Sequence, residues 1–406
     1  MPSVAVIGAG FAGCSAAIAA AKAGAEVVLL EKSNNLAGLG LMTGVLGGGG
    51  VFTCQEEMRA LGGYDIFQAC ESVTLHNIAH IPELGRRHIN FFSVLKIGEA
   101  MNKGLQDAGV DVKLQTRVKG VHMKDNTLTR LVLEDGTSLD AHSFVDATGS
   151  SSSDDGRVSI SSQAGVRDLT ALGPDGKPGG YSSTSFMLIK DSLPPQLMEE
   201  LERKGYLFVD LPKGLIKQET AGTGNAQPKF IETLYIVDTG FAKVSVKSFI
   251  PMNELRRVPG FENARMADPI YSPGDKVVRG MAMAPRENSL RVEGLANLYC
   301  AGEKSGPISG IAGVITTGVL AGHNAARNSF GKEDLVLPRT LSVGDFIAYG
   351  REMMSSPEGL QSKYSFAGGA FFNRIKELGL HCSDSGEIQR RVEKEGLSDI
   401  FARKLA

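Results

Sequence analysis

Three glycines near the N-terminus, Gly8, Gly10 and Gly13, have a spacing that lets a polypeptide hold a pyrophosphate. The first permits a tight turn, the second lets phosphate oxygens approach the main chain, and the third lets a helix pack closely on a strand. Phe11 and Ala12 sit inside this turn, where main-chain N–H groups at the positive end of a helix dipole meet the anion. About 20 residues on stands Glu31, where a carboxylate would grip ribose hydroxyls, with Lys32 beside it. A second chemically suggestive cluster runs Gly302-Glu303-Lys304, then Gly310-Ile311-Ala312-Gly313. There an acid could hold a polyol chain, and a helix N-terminus could stabilise developing negative charge. Lys304 is the best-placed general acid/base or anion anchor and Arg286 the second; for both, a solvated surface charge is the competing reading.

These residues need particular elements to position them. The apolar burst before Gly8 has the length of a buried parallel strand, with Val4, Val6 and Ile7 supplying β-branched side chains. An alanine-rich run to Ala23 reads as a helix, and Ala25 to Glu31 as a second strand. Strand, turn, helix, strand and terminal acid in that order predict a dinucleotide site rather than an ordinary glycine-rich turn. A short strand delivers Glu303, and a helix of small residues starts beside it, a packing helix being the alternative. Between the clusters, Gly38, Gly40, Thr43, Gly48 and Gly49 belong to a stretch ending in four consecutive glycines, Gly47 to Gly50. Such a run forms neither a stable helix nor a packed strand. It suits a loop lying flat against a planar ring, or a flexible linker. Two separated signals without a second glycine-triplet domain point to one bound FAD, its AMP end at the first cluster and its ring at the later one.

Residues 64–90 read as helical pieces, with His76 and His80 at a helical metal-ligand spacing that lacks a third ligand. Residues 91–108 read as a helix, 109–118 as a strand and 119–145 as a β-meander. A Ser/Gly/Asp-rich stretch, 150–180, marks a boundary. Several strand-like runs between 183 and 251 predict a mixed or antiparallel sheet, with 215–229 as a polar surface loop. From Pro338 on the chain is helical, and Ile388, Val392, Leu397, Ile400 and Phe401 form an apolar face that caps the domain or meets a subunit. The predicted fold class is α/β: a Rossmann-like, glutathione-reductase-like FAD-binding domain with an inserted mixed β-sheet substrate domain and a helical C-terminal segment. The expected division is 1–150 and 291–335 for FAD, 151–290 for substrate, and 336–406 for the helical segment.

Composition sets limits on these readings. The 406 residues allow two or three domains, and 42% hydrophobic with 22% charged residues describes a globular chain. No apolar run of membrane-spanning length and no secretory signal are visible, so a cytoplasmic location is expected. A net charge of −2 argues against a wholesale basic surface. Five scattered cysteines, Cys14, Cys54, Cys70, Cys300 and Cys382, lack metal-ligand spacing. Cys54 could be a redox partner for the flavin, a buried structural thiol being the alternative.

Several segments together resemble the glucose-inhibited division protein A-like flavoproteins, a group that includes tRNA-modifying enzymes. They are Gly8 to Gly13, Gly47 to Gly50 with Glu56 to Gly63, Val258 to Ala264, Leu298 to Gly318, and Pro338-Arg339-Thr340. Residues 91–149 also look like the wider FAD-dependent oxidoreductase group. The resemblance implies an adenine contact near Val118, and a strand ending in Ala147-Thr148-Gly149 that returns the chain to the pyrophosphate. It also exposes departures. Relatives carry a cysteine just before the glycine cluster, where this chain has Met42, and one group uses a nucleophilic cysteine in its inserted domain. Here no cysteine lies between Cys70 and Cys300, and the acidic pair of the C-terminal helix gives way to Ile311-Ala312-Gly313. One residue is added between Gly306 and Gly310, and a long C-terminal helical extension is missing.

The expected function is therefore an FAD-dependent oxidoreductase that passes hydride between flavin N5 and a small-molecule substrate bound between the two domains. The alternatives are an FAD-dependent tRNA-modifying flavoprotein, with Arg86-Arg87, Arg256-Arg257, Lys276 and Arg279 as phosphate contacts, and a flavoprotein subunit of an electron-transfer assembly. Expected partners are a small-molecule substrate and an electron-transfer protein or second copy in a homodimer. RNA is the less favoured partner, and no membrane is expected.

Overall fold

The computed structural model describes residues 1–38, 44–47, 50–81, 86–149, 159–170, 180–182, 185–212, 215, 233–238, 243–247, 252–265, 278–280, 282–362 and 364–405. Its centre is a five-stranded parallel sheet. The strands are β1 (Ser3–Ile7), β2 (Glu26–Leu30), β3 (Asp111–Lys113), β4 (Ser143–Asp146) and β5 (Leu298–Cys300). Their spatial order is β5-β4-β1-β2-β3. β1 lies between β2 and β4, and four of its five residues are buried, which is why its sequence is apolar rather than alternating. Ile7 pairs with both Leu30 and Asp146, and Asp146 with Cys300, so four strands end level. Gly8, Glu31, Ala147 and Ala301 thus leave the sheet at one edge, the carboxyl end where parallel α/β sheets gather ligands.

Two helices lie against this sheet. α1 (Phe11–Lys22) is buried on every side from Phe11 to Ala20, so its alanines show no amphipathic stripe. Alanine has the best helix propensity and the smallest cross-section, and both matter because α2 (Ile311–Ser329) packs directly on it. A Cβ at Gly318 would fall 2.2 Å from the Ala12 carbonyl oxygen, and one at Gly322 would fall 2.0 Å from that of Ala16. Only glycine permits this crossing.

An antiparallel three-stranded meander (Val118–Lys124, Thr127–Leu133, Ser138–Asp140) covers one side. A second three-stranded antiparallel sheet joins Val45–Gly47, Arg86–Phe92 and Thr74–Ile81. This corrects the helical reading of 64–90: the helix covers only Asp65–Ser72, and strands follow. The next helix starts at Ile97, burying Ile97, Met101 and Leu105 on one face, while Phe91 and Phe92 close the preceding strand. Along a strand, positions 76 and 80 are about 13 Å apart, so the helical metal-ligand spacing does not apply. Among the described residues no cluster of His, Cys, Asp and Glu could hold a metal. No described helix is long and apolar enough to cross a membrane.

The inserted region forms a four-stranded sheet in the order Ser185–Ile189, Lys243–Lys247, Thr233–Asp238, Tyr206–Asp210. Every pairing in it is antiparallel, so of the mixed or antiparallel sheet expected here the described strands form the antiparallel one, not the mixed one. It has its own core, which includes Leu188, Leu201, Leu234, Ile236, Val244, Val246 and Phe261. Most of the polar stretch 215–229 lies outside the described residues. Helices at Ser342–Met353, Pro357–Gln361, Gly369–Glu377 and Ser385–Lys394 end the chain. Val392 and Phe401 are buried in the main core, and Ile388 is also buried, so the terminal apolar face serves this chain's own packing. Glu57 secures that segment. Its buried carboxylate accepts hydrogen bonds from Ser342 N (2.9 Å), Ser342 Oγ (2.7 Å) and Val343 N (2.9 Å), capping a helix that no local side chain caps.

Candidate functional site

At the carboxyl edge of the sheet the glycine triplet has three different surroundings. Gly8 has φ +99°, and a Cβ there would lie 2.5 Å from the Ala147 carbonyl oxygen. A Cβ on Gly13 would lie 1.7 Å from the Gly8 oxygen, so this glycine brings helix onto strand. A Cβ on Gly10 would meet nothing within 4 Å. The space over Gly10 is open to a ligand, and α1 begins there with no side-chain cap on its N–H groups. Those properties fit a pyrophosphate. Gly38 crosses over the turn, where its Cβ would stand 3.3 Å from the Gly10 Cα, and Ala37 N–H donates to the Ala9 oxygen at 2.9 Å. Gly40, Thr43, Gly48, Gly49 and Met42 lie outside the described residues.

Glu31 is buried at the end of β2. Its Oε2 accepts from Ala9 N–H (2.8 Å) and its Oε1 from Ser33 N–H (2.8 Å), so it braces the phosphate turn. A carboxylate accepts about four hydrogen bonds, leaving capacity for ribose hydroxyls. Lys32 beside it is exposed. The main chain after β3 reaches this corner through Thr116, whose N–H donates to the Glu31 carbonyl at 2.8 Å. Val118 pairs instead with Leu133 in the meander and packs beneath it. Four residues, 114–117, separate β3 from the meander, and of these Thr116 is the one whose main chain meets the Glu31 corner. Thr116 lines a cleft of about 210 Å³ with Leu30, Lys113, Leu133, Asp135, Thr137, Ser138 and Leu139.

Ala147, Thr148 and Gly149 run along Gly8. Asp146 holds them: its Oδ1 accepts from Thr148 N (3.2 Å) and Thr148 Oγ1 (2.6 Å), and its Oδ2 from Ile160 N (3.1 Å) and Ser161 N (3.3 Å). That duty of Asp146 is not visible in the sequence, since its partners at 160 and 161 lie across a boundary segment.

The later cluster stands at the other end of the same edge. Gly302 N–H donates to Thr317 Oγ1 (2.9 Å), and half-buried Glu303 shares its short 3-10 turn. α2 starts after Gly310, again with no side-chain cap, and Ile311, Ala312 and Gly313 form its buried first turn. Gly313 faces inward, where a Cβ would come within 2.9 Å of the Phe346 ring, so only its N–H can face a ligand. The crossing fixes how the two helix ends relate. Ala12 meets Gly318 and Ala16 meets Gly322, so the helices run in the same direction. α2 begins seven residues before Gly318 and α1 one residue before Ala12. At 1.5 Å per residue the N-terminus of α2 stands about 9 Å beyond that of α1. Two uncapped helix N-termini, staggered along one sheet edge, suit a long ligand that is anionic at its middle and electron-accepting at one end.

The two expected catalytic cations are both interior. Lys304 is fully buried, and its Nζ donates to Asp168 Oδ2 (2.8 Å) and the Ala282 oxygen (3.0 Å). Burial raises the Asp168 carboxyl, but the Lys304 ammonium and the Ser159 and Ser161 hydroxyls outweigh it and hold it below the ordinary range. Arg286 is fully buried with its guanidinium spread over the Ser305, Ile347 and Glu287 oxygens at 2.8, 2.8 and 3.1 Å. Burial pushes it down to about 10. Neither side chain can meet a substrate in this arrangement, and the expected acid/base roles are corrected accordingly. All five cysteines are buried, and burial pushes the Cys54 thiol up, leaving it a weak donor against Thr316 Oγ1 (3.4 Å).

The fold and the two glycine clusters define an FAD-binding protein of the Rossmann class. The chain is similar to the FAD-dependent flavoproteins that include glucose inhibited division protein A. The family model described as FAD dependent oxidoreductase matches residues 3–161, and that described as glucose inhibited division protein A matches 236–333. The tRNA uridine 5-carboxymethylaminomethyl modification enzyme MnmG of Bacillus subtilis is 28% identical over 36% of this chain and 21% of its own length. MnmG of Geobacillus thermodenitrificans is 23% identical over 83% of this chain, and that of Bacillus mycoides is 23% identical over 98%. The chain spans 63% and 76% of those two relatives. The crystal structure of Aquifex aeolicus GidA shares the fold at 18% identity with a TM-score of 0.60, covering 97% of this chain and 76% of that one.

Proposed function

We propose that this chain is an FAD-dependent redox enzyme that modifies a base of tRNA, with the base offered to the flavin by the inserted antiparallel sheet. The observation that carries this reading is the extent of the match. Relatives named as tRNA uridine modification enzymes align with 83% and 98% of the chain, across the FAD-binding segments and the inserted sheet alike. Bound FAD supplies a centre that gives or takes hydride. The chain's own residues bind and orient it. Gly10 and the N-terminus of α1 hold the pyrophosphate, Glu31 takes the ribose, and Ala147 to Gly149 with Gly38 close the channel. Gly302, Glu303 and the first turn of α2 from Gly310 to Gly313 hold the ring end, where the helix dipole favours negative charge. No thiol in the chain is placed as a nucleophile, because all five are buried. The proposed chemistry is therefore hydride transfer without a cysteine adduct.

A small-molecule substrate is the second reading, and one observation favours it. Of the arginines expected to contact phosphate, Arg257 is paired with Glu254 at 2.7 Å and Arg256 donates to the Ala264 oxygen at 3.1 Å. Lys276 and the side chains of Arg86, Arg87 and Arg279 lie outside the described residues. Gel-shift titration of the yellow, FAD-loaded protein with bulk tRNA at low and moderate salt separates the two readings. A shift that weakens steeply with salt supports the RNA reading. No shift at low salt, from protein whose flavin a reduced nicotinamide still bleaches, would transfer the proposal to a small molecule.

A further inference from the structure

The inserted sheet is tied to the flavoprotein core by a two-stranded neck, and one side chain holds both strands of it. The outgoing strand, Leu169–Thr170, pairs antiparallel with the returning strand, Ala282–Met283. Lys304 lies on the short turn between Gly302 and Ser305, which belongs to the core. Its ammonium donates to Asp168 Oδ2 (2.8 Å), one residue before the outgoing strand, and to the Ala282 carbonyl oxygen (3.0 Å) on the returning strand. Its own carbonyl accepts from Ala284 N–H at 2.8 Å. Asp168 is held in turn by Ser159 Oγ (2.7 Å) and Ser161 Oγ (2.9 Å). Ser161 N–H donates to Asp146 at the end of β4.

We propose that Lys304 and Asp168 are positioning residues: a buried clamp that sets the orientation of the inserted sheet over the loop holding the ring end of FAD. The inference rests on the reading that this sheet presents the substrate to the flavin. A fully buried lysine is costly unless every proton is satisfied, and here two partners come from opposite strands of the neck. An ammonium chooses no single direction, so one lysine fastens two strands where a planar guanidinium would need a matching plane. A ring stack, Phe91 on Tyr206 at 6.4 Å, also joins sheet and core, and it limits separation without fixing rotation. Two short ladders in the neck, the one of two residues and a second of three between Gly180–Ser182 and Val278–Gly280, make a two-stranded ribbon that is pliable by itself.

The test measures distance in the FAD-loaded protein. All five native cysteines are buried, so spin labels can be attached at Gln106→Cys on a core helix and Gln196→Cys on the helix packed against the inserted sheet. The unsubstituted clamp should give one narrow distance distribution. Lys304→Met should broaden it at least twofold with bound flavin per chain unchanged, and Asp168→Asn should broaden it in the same sense. Should Lys304→Met fail to fold, Asp168→Asn decides alone. Equal widths in the folded variants overturn the proposal, as does loss of flavin with the distribution unaltered. No substrate is present in this measurement, so failure of the tRNA reading would leave its outcome untouched.

Discussion

Glu31 shows how one carboxylate serves two ends of a site. Its oxygens take Ala9 N–H and Ser33 N–H, which shapes the phosphate turn, and their remaining lone pairs have capacity for the ribose hydroxyls of the proposed FAD. Glu31→Ala should weaken FAD binding about tenfold or more, the loss of a charge-assisted hydrogen bond of about 1.5–3 kcal/mol. Equilibrium dialysis against FAD checks this, and unchanged affinity would remove the ribose role. A second residue-scale effect concerns His323, which is buried in α2 with neither ring nitrogen hydrogen-bonded and Phe401 set edge-on at 5.3 Å. Burial, assisted by the charge of Arg327, lowers it to about 4. The unfolded chain, with an ordinary histidine near 6.5, then binds the proton more tightly than the folded one. This contribution to stability is therefore complete above pH ~6.5 and is lost as the pH falls toward 4, by up to about 3 kcal/mol. Urea unfolding across that window should show a shallower fall for His323→Leu than for the parent.

At the scale of elements, the crossing of α1 and α2 governs the site. Gly322→Ala would place a methyl 2.0 Å from the Ala16 oxygen, a contact with rigid main chain on both sides. It should cost about 3 kcal/mol or more and displace both helix N-termini, so melting temperature and flavin content should fall together. Gly98→Ala, whose Cβ would meet nothing within 4 Å in the helix Ile97–Asp107, should be neutral or slightly stabilising. Elements of this kind were legible in the chain unequally. β1, α1, β2 and the start of α2 announce themselves, because burial on both faces and close helix contact leave few residue types available. The strands at 74–81 and 86–92 were read as helix, since His76, His80 and Arg86-Arg87-His88 mask a weak alternation.

For the whole molecule, what remained hidden is what joins distant segments. Lys304 and Asp168 are 136 positions apart, and nothing local marks either as a partner of the other. Glyphs of binding chemistry, a lysine and an arginine beside a flavin motif, were therefore read as reactive groups when folding had enclosed both. Glu57 is similar: the Glu56-Glu57 pair looks like a solvated helix face, yet one member caps a helix that starts at Ser342. The dinucleotide site was legible because it is built from main chain and small residues close in sequence. The clamp, the distant cap and the neck are built from side chains that meet only after the sheet has formed.

The shared heading of α1 and α2 also limits how this lineage can change length. The stretch from Ile311 to Gly318 acts as a measuring rod between the phosphate end of the site and its ring end. Residues gained or lost before Gly310 can bulge outward. One residue gained inside the rod would swing the helix start by about 100° and advance it by about 1.5 Å, turning its first N–H groups away from the ring. Descendants should therefore vary freely in their loops while that interval stays constant.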